Sequence, residues 1–260
     1  MGMNIEEKNL SEKTYILSGK HAFFHRFCDS SFKTKWTGLW TGPKKFFDYF
    51  AFKINDSWLS PNNCFRVKYD ELVCTHVYKL EGVQIRERLF IPETGKSLFS
   101  SLKLSNLGNK SRKFRVELEV GVNIRGMEEN WHDRKYRFQQ MRNSILVNSS
   151  KGSLIYGIHQ PSSFTPLNIY RDHYPGELER CFIPGILHLE RIVKPKSYEE
   201  IDFVFACGED DEEAFMNFHS ERRFLDQKLM EKKECYSRIL DAAFLRTGVD
   251  EIDNLFKWSV

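Results

Sequence analysis

Trp36 and Trp40 flank Thr-Gly-Leu in the stretch from Lys35 to Pro43, and on an extended strand residues four apart share a face. A flat indole pair suits the apolar C–H face of a pyranose, so an exposed pair would stack on sugar rings. Large aromatics are mostly buried, however, and packing in a core is the plainer expectation for both. A second stretch, Asn123 to Asp133, leaves a strongly apolar run and turns polar, gathering Asn123, Arg125, Glu128, Glu129, Trp131 and His132. Glu128 and Glu129 are of the type a glycosidase uses as acid and base across the scissile bond. Adjacent residues on an extended chain point opposite ways, and no second acidic loop stands out to complete a pair. The expectation is a solvated loop that docks on a neighbouring domain. A third polar stretch, Tyr170 to Cys181 with Arg171, Asp172, His173, Tyr174, Glu177 and Glu179, reads as a rim or interface loop. His132 and His173 could meet in space.

Other chemistries leave no mark. There is no G-x-x-x-x-G-K-[ST] phosphate loop, no H-E-x-x-H and no Ser or Cys nucleophile motif. His21 and His25 stand four apart, but in the β-like stretch Ala22-Phe-Phe-His-Arg-Phe27 rather than on a helix. The six cysteines form no C-x-x-C pair. With no export signal at the polar, acidic start, they are expected to be reduced, buried and apolar in behaviour, in a cytoplasmic protein. The sequence thus predicts no metal and no cofactor. Net charge is +3, and the 39 basic and 36 acidic residues are mixed along the chain, which is not a nucleic-acid footprint. No apolar run approaches a membrane span.

The elements that must hold these residues are strands. Lys113 to Ile124 places Phe114, Val116, Leu118, Val120, Val122 and Ile124 at a period of two. Phe46 to Ile54 is an aromatic-rich strand in which Asp48 interrupts an otherwise apolar face. Leu72 to Leu80 and Val83 to Ile91 form a hairpin across Glu81-Gly82. Ser97 to Ser105 follows, and then a turn at Asn106 to Ser111. Shorter strands are expected at Tyr136–Met141, Ile145–Asn148 and Leu154–His159. A loop runs from Gln160 to Pro184, and Ile186–Val193 and Tyr198–Ala206 close the β section. Some twelve or more strands with no intervening helix predict a mainly β protein, an antiparallel β-sandwich.

At Gly208 the pattern changes. Asp210 or Asp211 caps a helix, and Glu212 and Glu213 suit its first turn. The segment to about Phe244 is charged, with widely spaced apolar residues, as in a linker helix crossing a surface. From Gly248 a second helix opens with Val249, Ile252, Leu255 and Phe256 at helical spacing. The expected organisation is a sandwich over 1–207, a linker helix region over 208–247 and the start of a helical domain over 248–260.

Several pieces in order resemble the N-terminal domain of glycogen-debranching enzymes of the amylo-α-1,6-glucosidase kind. They are Gly38 to Asp56 followed by Trp58-Leu59-Ser60; Ile85-Arg-Glu-Arg-Leu-Phe-Ile-Pro92; Ser97 to Asn106 with Phe114 to Gly126; and Phe244 to Trp258. The turn reads Gly42-Pro-Lys-Lys45 where the family has Asp-Thr-Arg. The resemblance implies a supersandwich joined by a linker helix to an (α/α)6 toroid, in cis or in trans. The toroid carries the carboxylates that hydrolyse the α-1,6-glucoside. This chain would then be non-catalytic, bracing the toroid and shaping an α-glucan cleft through the loop Asn123 to Asp133. Two alternatives stay open: a stand-alone carbohydrate-binding module using Trp36 and Trp40, and a complete enzyme using Glu128 or Glu129.

Overall fold

Phe114, Val116, Leu118, Val120, Val122 and Ile124 are all fully buried, as their spacing predicts, and they line the interface between two stacked sheets. The structure, a computed structural model, describes residues 3–5, 10–70, 72–129, 135–158, 160–174, 180–222, 225–242, 247–249 and 252–253. In chain order the strands are β1 (Met3–Ile5), β2 (Thr14–Ser18), β3 (Phe23–Phe27), β4 (Gly38–Thr41), β5 (Lys44–Ile54) and β6 (Ser57–Trp58). Then come β7 (Cys64–Tyr69), β8 (Cys74–Leu80), β9 (Val83–Phe90), β10 (Ser97–Asn106), β11 (Arg112–Gly126) and β12 (Arg137–Gln140). The last are β13 (Ser144–Ser149), β14 (Gly152–Ile158), β15 (Ser163–Asp172), β16 (Arg180–Val193) and β17 (Tyr198–Gly208), followed by helices α1 (Asp211–Arg222) and α2 (Leu225–Ala242). One sheet runs β1-β7-β8-β9-β10-β17-β14-β13-β12; the other runs β15-β16-β11-β5-β4-β3-β2, with β6 on β5. All the pairings are antiparallel. The antiparallel sandwich is therefore what the chain forms.

The core between the sheets is rich in Phe: Phe50 lies 4.9 Å from Phe205 and Phe52 lies 4.7 Å from Phe203, ring to ring across the two sheets. It also holds a polar island. Arg26 grips both oxygens of Glu87 at 3.0 Å, and the Tyr78 hydroxyl donates to Glu87 Oε2 at 2.6 Å. Arg26 Nη1 alone spans the two oxygens while its Nε donates to the Ser30 carbonyl at 2.9 Å, and with the tyrosine donor it satisfies the carboxylate, which a buried charge requires.

The segment 160–184 is not the loop its Pro, Ser and Tyr content predicted. It contains β15 and the first residues of β16. Strand β15 is an edge strand with most of its side chains exposed, so burial imposes no alternation on it. Pro166 is tolerated at an edge, beside a register shift and an Asn168 with φ 53°.

Asp210 caps α1 by accepting the Glu213 amide at 2.9 Å, and Glu213 reaches back to the Glu209 amide at 2.7 Å. Ala214, Phe218 and Leu229 bury against Phe90, Phe99, Leu146, Ile155, Val204 and Ala206 on the outer face of the nine-stranded sheet. The charged helical segment thus crosses a surface, as expected, but the expectation that it forms no core is corrected: its few, widely spaced apolar residues close a second, smaller core against the sheet. In α2, Lys232 is buried and donates to the carbonyls of Ser18 at 2.5 Å and Ile91 at 2.7 Å. Of the terminal helix, Ile252 and Asp253 are helical, and Asp253 accepts the Thr247 amide at 2.8 Å. Leu255, Phe256 and Trp258 lie outside the described residues. Among the described residues no helix is long and apolar enough to cross a membrane.

Candidate functional site

Three register shifts converge on one patch of the eight-stranded sheet. The β4–β5 ladder shifts between Leu39 and Trp40, and the β5–β11 ladder shifts between Gly121 and Val122 and again before Arg125. Bulges re-aim side chains, and they gather near functional sites. Gly38 makes the first possible: its φ is +112°, and a Cβ there would sit 2.0 Å from the Phe47 carbonyl oxygen. The shifts break the strict alternation of β5, so that Phe46 and Phe47 both reach the core.

Polar groups that an unbroken strand would scatter are brought together. Lys45 Nζ lies 2.5 Å from Asp48 Oδ1, and both side chains are wholly buried. Asn123 Nδ2 donates to both oxygens of Asp48 at 3.2 Å. Lys45 also donates to the Lys35 carbonyl at 2.8 Å and lies 3.5 Å from the Tyr174 hydroxyl. Arg125 is buried as well; its Nη2 donates to the same Lys35 carbonyl at 3.1 Å, and its Nη1 donates to the carbonyls of Gly126 at 3.0 Å and Met127 at 3.3 Å. Two cations therefore hold the turn before β4 and the loop after β11 together. Both also lie over the Trp40 ring, Lys45 at 5.6 Å and Arg125 at 5.4 Å from its centroid.

Trp40 is buried but stands apart from the main core, stacked between Phe23 at 5.8 Å and Trp36 at 6.0 Å. Its Nε1 donates to the Trp36 carbonyl at 3.0 Å. Trp36 sits in a turn and is 46% exposed. The expectation that both indoles pack the sandwich core is corrected: Trp40 is buried but outside that core, and Trp36 lies outside any strand, where no sheet face covers it. The Lys35 ammonium lies 5.7 Å from its ring centroid.

Asn123 and Arg125 thus belong to this cluster, with Lys45, Asp48 and Tyr174 as partners that sequence reasoning had not joined to it. The one signal for Asp48 was its intrusion on an apolar face. Glu129 turns back onto its own loop, accepting the Gly126 amide at 2.9 Å and the Lys151 ammonium at 2.7 Å. Glu128 is exposed. Trp131 and His132 lie outside the described residues, so their meeting with His173 does too. His173 packs against Tyr49, the two rings tilted by 31° with centroids 4.4 Å apart. Burial holds its pKa below the usual histidine value, against the pull of Asp48.

An open cleft of about 1280 Å³ lies where Lys135, Tyr136, Arg137, Tyr170 and the start of α1 meet. Its acids are Glu209, Asp210, Asp211 and Glu212, consecutive residues on one turn. Glu209 pairs with Lys44, Asp210 is the helix cap, and Asp211 accepts Ser153 Oγ at 2.5 Å and Asn148 Nδ2 at 2.8 Å. Among the described residues lining this cleft, no carboxylate faces another across it, as a glycosidase pair requires. Nor is any group of three or more His, Cys, Asp or Glu among the described residues placed to hold a metal ion.

The fold and this cluster define a class, an antiparallel β-sandwich with a bulged, cation-anchored aromatic turn and two helices on one outer face. No protein-family model matches the chain, and no curated protein sequence matches it. Solved structures do. A bacterial glucoamylase complexed with acarbose aligns over 89% of this chain and 36% of its own, with 10% identity and a TM-score of 0.50. A protein described as a kojibiose phosphorylase, from the human microbiome, aligns over 85% of this chain and 32% of its own, with 13% identity and a TM-score of 0.49. A galactose mutarotase related enzyme from Lactobacillus acidophilus aligns over 76% of this chain and 99% of its own, with 9% identity and a TM-score of 0.45. The chain thus spans about a third of the glucoamylase and phosphorylase chains it matches, and what it shares with the glucoamylase is the fold.

Proposed function

We propose that this chain is the β-sandwich part of an α-glucan glycosidase of the glycogen-debranching kind, working in the cytoplasm. It braces an (α/α)6 catalytic domain, in cis or in trans, through the face that carries Trp36 and Glu129, and shapes its glucan cleft with the loop Asn123 to Asp133. The acid and base of hydrolysis come from the partner domain. The observation that carries this reading is the double anchoring of the Lys35 carbonyl by Lys45 and Arg125. It fixes a half-exposed Trp36 and the loop at Gly126 as one rigid face. Exposed aromatics on a fixed support are what a docking domain finds worth covering. Trp36 is already engaged by Trp40 and the Lys35 ammonium, and the half ring it offers suits a packed interface better than a flat sugar platform. The fold shared with part of a glucoamylase supports the same assignment.

A second reading, a stand-alone carbohydrate-binding module, draws on the 46% exposure of Trp36. One experiment separates the two. The purified chain is incubated with a branched limit dextrin and run in native gels containing neutral glycogen. The scaffold reading expects no glucose release and little retardation, both unchanged by Trp36→Ala. Strong retardation lost in Trp36→Ala would establish the binding module instead. Glucose release abolished by Glu128→Gln or Glu129→Gln would overturn both readings.

A further inference from the structure

Strands β7 to β10 carry Arg66, Lys68, Lys79, Arg86, Arg88 and Lys103 but a single acid, Glu87. Alternation sorts them. Glu87 points inward, where it is buried against Arg26, and the six cations point outward. The register then assembles them into rows on the open part of the nine-stranded sheet, away from α1. One row crosses four strands as Arg66–Val77–Arg86–Lys103; the next runs Lys68–Thr75–Arg88–Ser101. Lys79 follows beside Gln84. Arg86 and Lys103 are direct cross-strand partners, an arrangement of like charges that costs stability; Glu200 lies opposite Lys103 on its other side, which leaves Arg86 without a facing acid. No ion pair to Lys68, Lys79, Arg86 or Arg88 occurs among the described residues. Arg66, Lys68 and Arg86 rim a shallow depression of about 460 Å³ floored by Phe65 and Val77.

We propose that this face binds an anionic glycan, specifically phosphate monoesters carried on an α-glucan chain. The charge argument is independent of the functional reading above; the glucan rests on it. A phosphate monoester carries between one and two negative charges and three acceptor oxygens, which match an arginine fork. Strands about 4.8 Å apart and same-face residues about 7 Å apart make the six cations a patch roughly 14 Å on a side. That is the scale of a short oligosaccharide rather than a duplex. Thr75, Gln84 and Ser101 lie between the cations and supply neutral donors and acceptors for sugar hydroxyls. Nucleic acid fits less well. The Lys103 ammonium covers Tyr198 at 3.4 Å, and Phe65, 6.0 Å from the Arg66 guanidinium, is one ring on the floor of the depression, too little for a run of stacked bases. At the β17 end the patch is bounded by Glu200 and Asp202, which repel a longer polyanion.

The test is binding of the whole chain to naturally phosphorylated amylopectin, to the same amylopectin after phosphatase treatment, to single-stranded RNA and to anionic phospholipid vesicles. Phosphatase treatment is expected to weaken binding about tenfold, and Arg86→Gln/Arg88→Gln to weaken binding to the phosphorylated form by a similar factor. Arg86→Lys/Arg88→Lys should retain most of it; neither pair of substitutions should lower the melting temperature, and the Gln pair should raise it slightly by relieving the Arg86–Lys103 repulsion. Equal binding to both amylopectins, or indifference to the charge variants, overturns the proposal. So does tighter binding to RNA or to vesicles. Phosphate-independent binding that disappears in Trp36→Ala instead counts against the scaffold reading, so the two failures are told apart.

Discussion

Arg125 donates Nη2 to the carbonyl of Lys35 at 3.1 Å, and the Lys45 ammonium donates to the same oxygen at 2.8 Å. Two buried cations thus converge on one main-chain dipole, Lys45 while it is also paired with Asp48. Arg125 adds the carbonyls of Gly126 and Met127, so one planar fork ties the loop after β11 to the turn that carries Trp36.

The fork is the first quantity to test. Arg125→Leu strips donors from three carbonyls at once, and urea unfolding should show a loss of about 3 kcal/mol. Arg125→Lys keeps the charge but not the planar fork, and should recover only part of it. A cost for Arg125→Leu below about 1 kcal/mol, the scale of one ordinary hydrogen bond, would show that the turn does not depend on it.

Asp48 and Lys45 face each other inside the sheet with no solvent exposure. Asp48→Asn would leave the ammonium without its counter-charge, and breaking such a pair costs about 3–5 kcal/mol. Asn123 would remain as a donor to the new amide oxygen, so the loss comes from charge rather than from an orphaned side chain. The pair Asp48→Asn/Lys45→Met should be more stable than Asp48→Asn alone. A double-mutant cycle with no coupling between the two positions contradicts this account.

How far the amino-acid sequence reveals all this depends on what burial demands of each strand. The row Phe114 to Ile124 is legible because both its neighbours and the facing sheet bury one side of it. Strand β15 is not, because an exposed edge places no period on its residues. The site divides the same way. Asn123 and Arg125 could be picked out as polar residues ending an apolar run. Their link to Lys45 and Asp48 could not, because it depends on register shifts that alternation does not encode. The outward cations of β7 to β10 are hidden for a third reason. Along the chain they alternate with residues of the opposite face, and only pairing puts Lys68, Arg86 and Arg88 on one surface.

Cysteine reactivity should report the burial pattern. Burial raises the Cys28 thiol to about 11 and the Cys64 thiol to about 12, and pushes Cys74, Cys181 and Cys207 up as well. Cys235, on α2, is half-buried. Titration with a thiol-specific disulfide reagent near neutral pH should therefore modify about one thiol per folded chain quickly, and the rest only on unfolding. Fast modification of several thiols in the folded chain, or survival of the fast one in Cys235→Ser, would contradict the arrangement.

The docking of the helices should depend on pH at both ends of the scale. Burial lowers Lys232 to about 8 from 10.5, despite the opposing pull of Glu93 and Asp70. Between those values the unfolded chain holds a proton that the folded chain has shed, so stability from this group rises with pH, by on the order of 1–3 kcal/mol. The neutral amine still has N–H groups for the Ser18 and Ile91 carbonyls, so the contact survives the loss of charge. Glu213 behaves in the opposite half of the range. Burial pushes its pKa up, but the Glu209 amide and the Lys96 ammonium at 2.7 Å outweigh that and hold it below 4.5. Its contribution is complete above that value and is lost as pH falls through the folded pKa. Comparing unfolding free energies of the parent chain with Lys232→Met from pH 7.5 to 9.5 isolates the first effect from tyrosine ionisation at higher pH. The parent should gain on the variant as pH rises. Comparison with Glu213→Gln from pH 6 to 3 isolates the second, and the parent's advantage should shrink with acid. A parent-minus-variant difference that is flat in either window removes that group from the docking of α1 and α2.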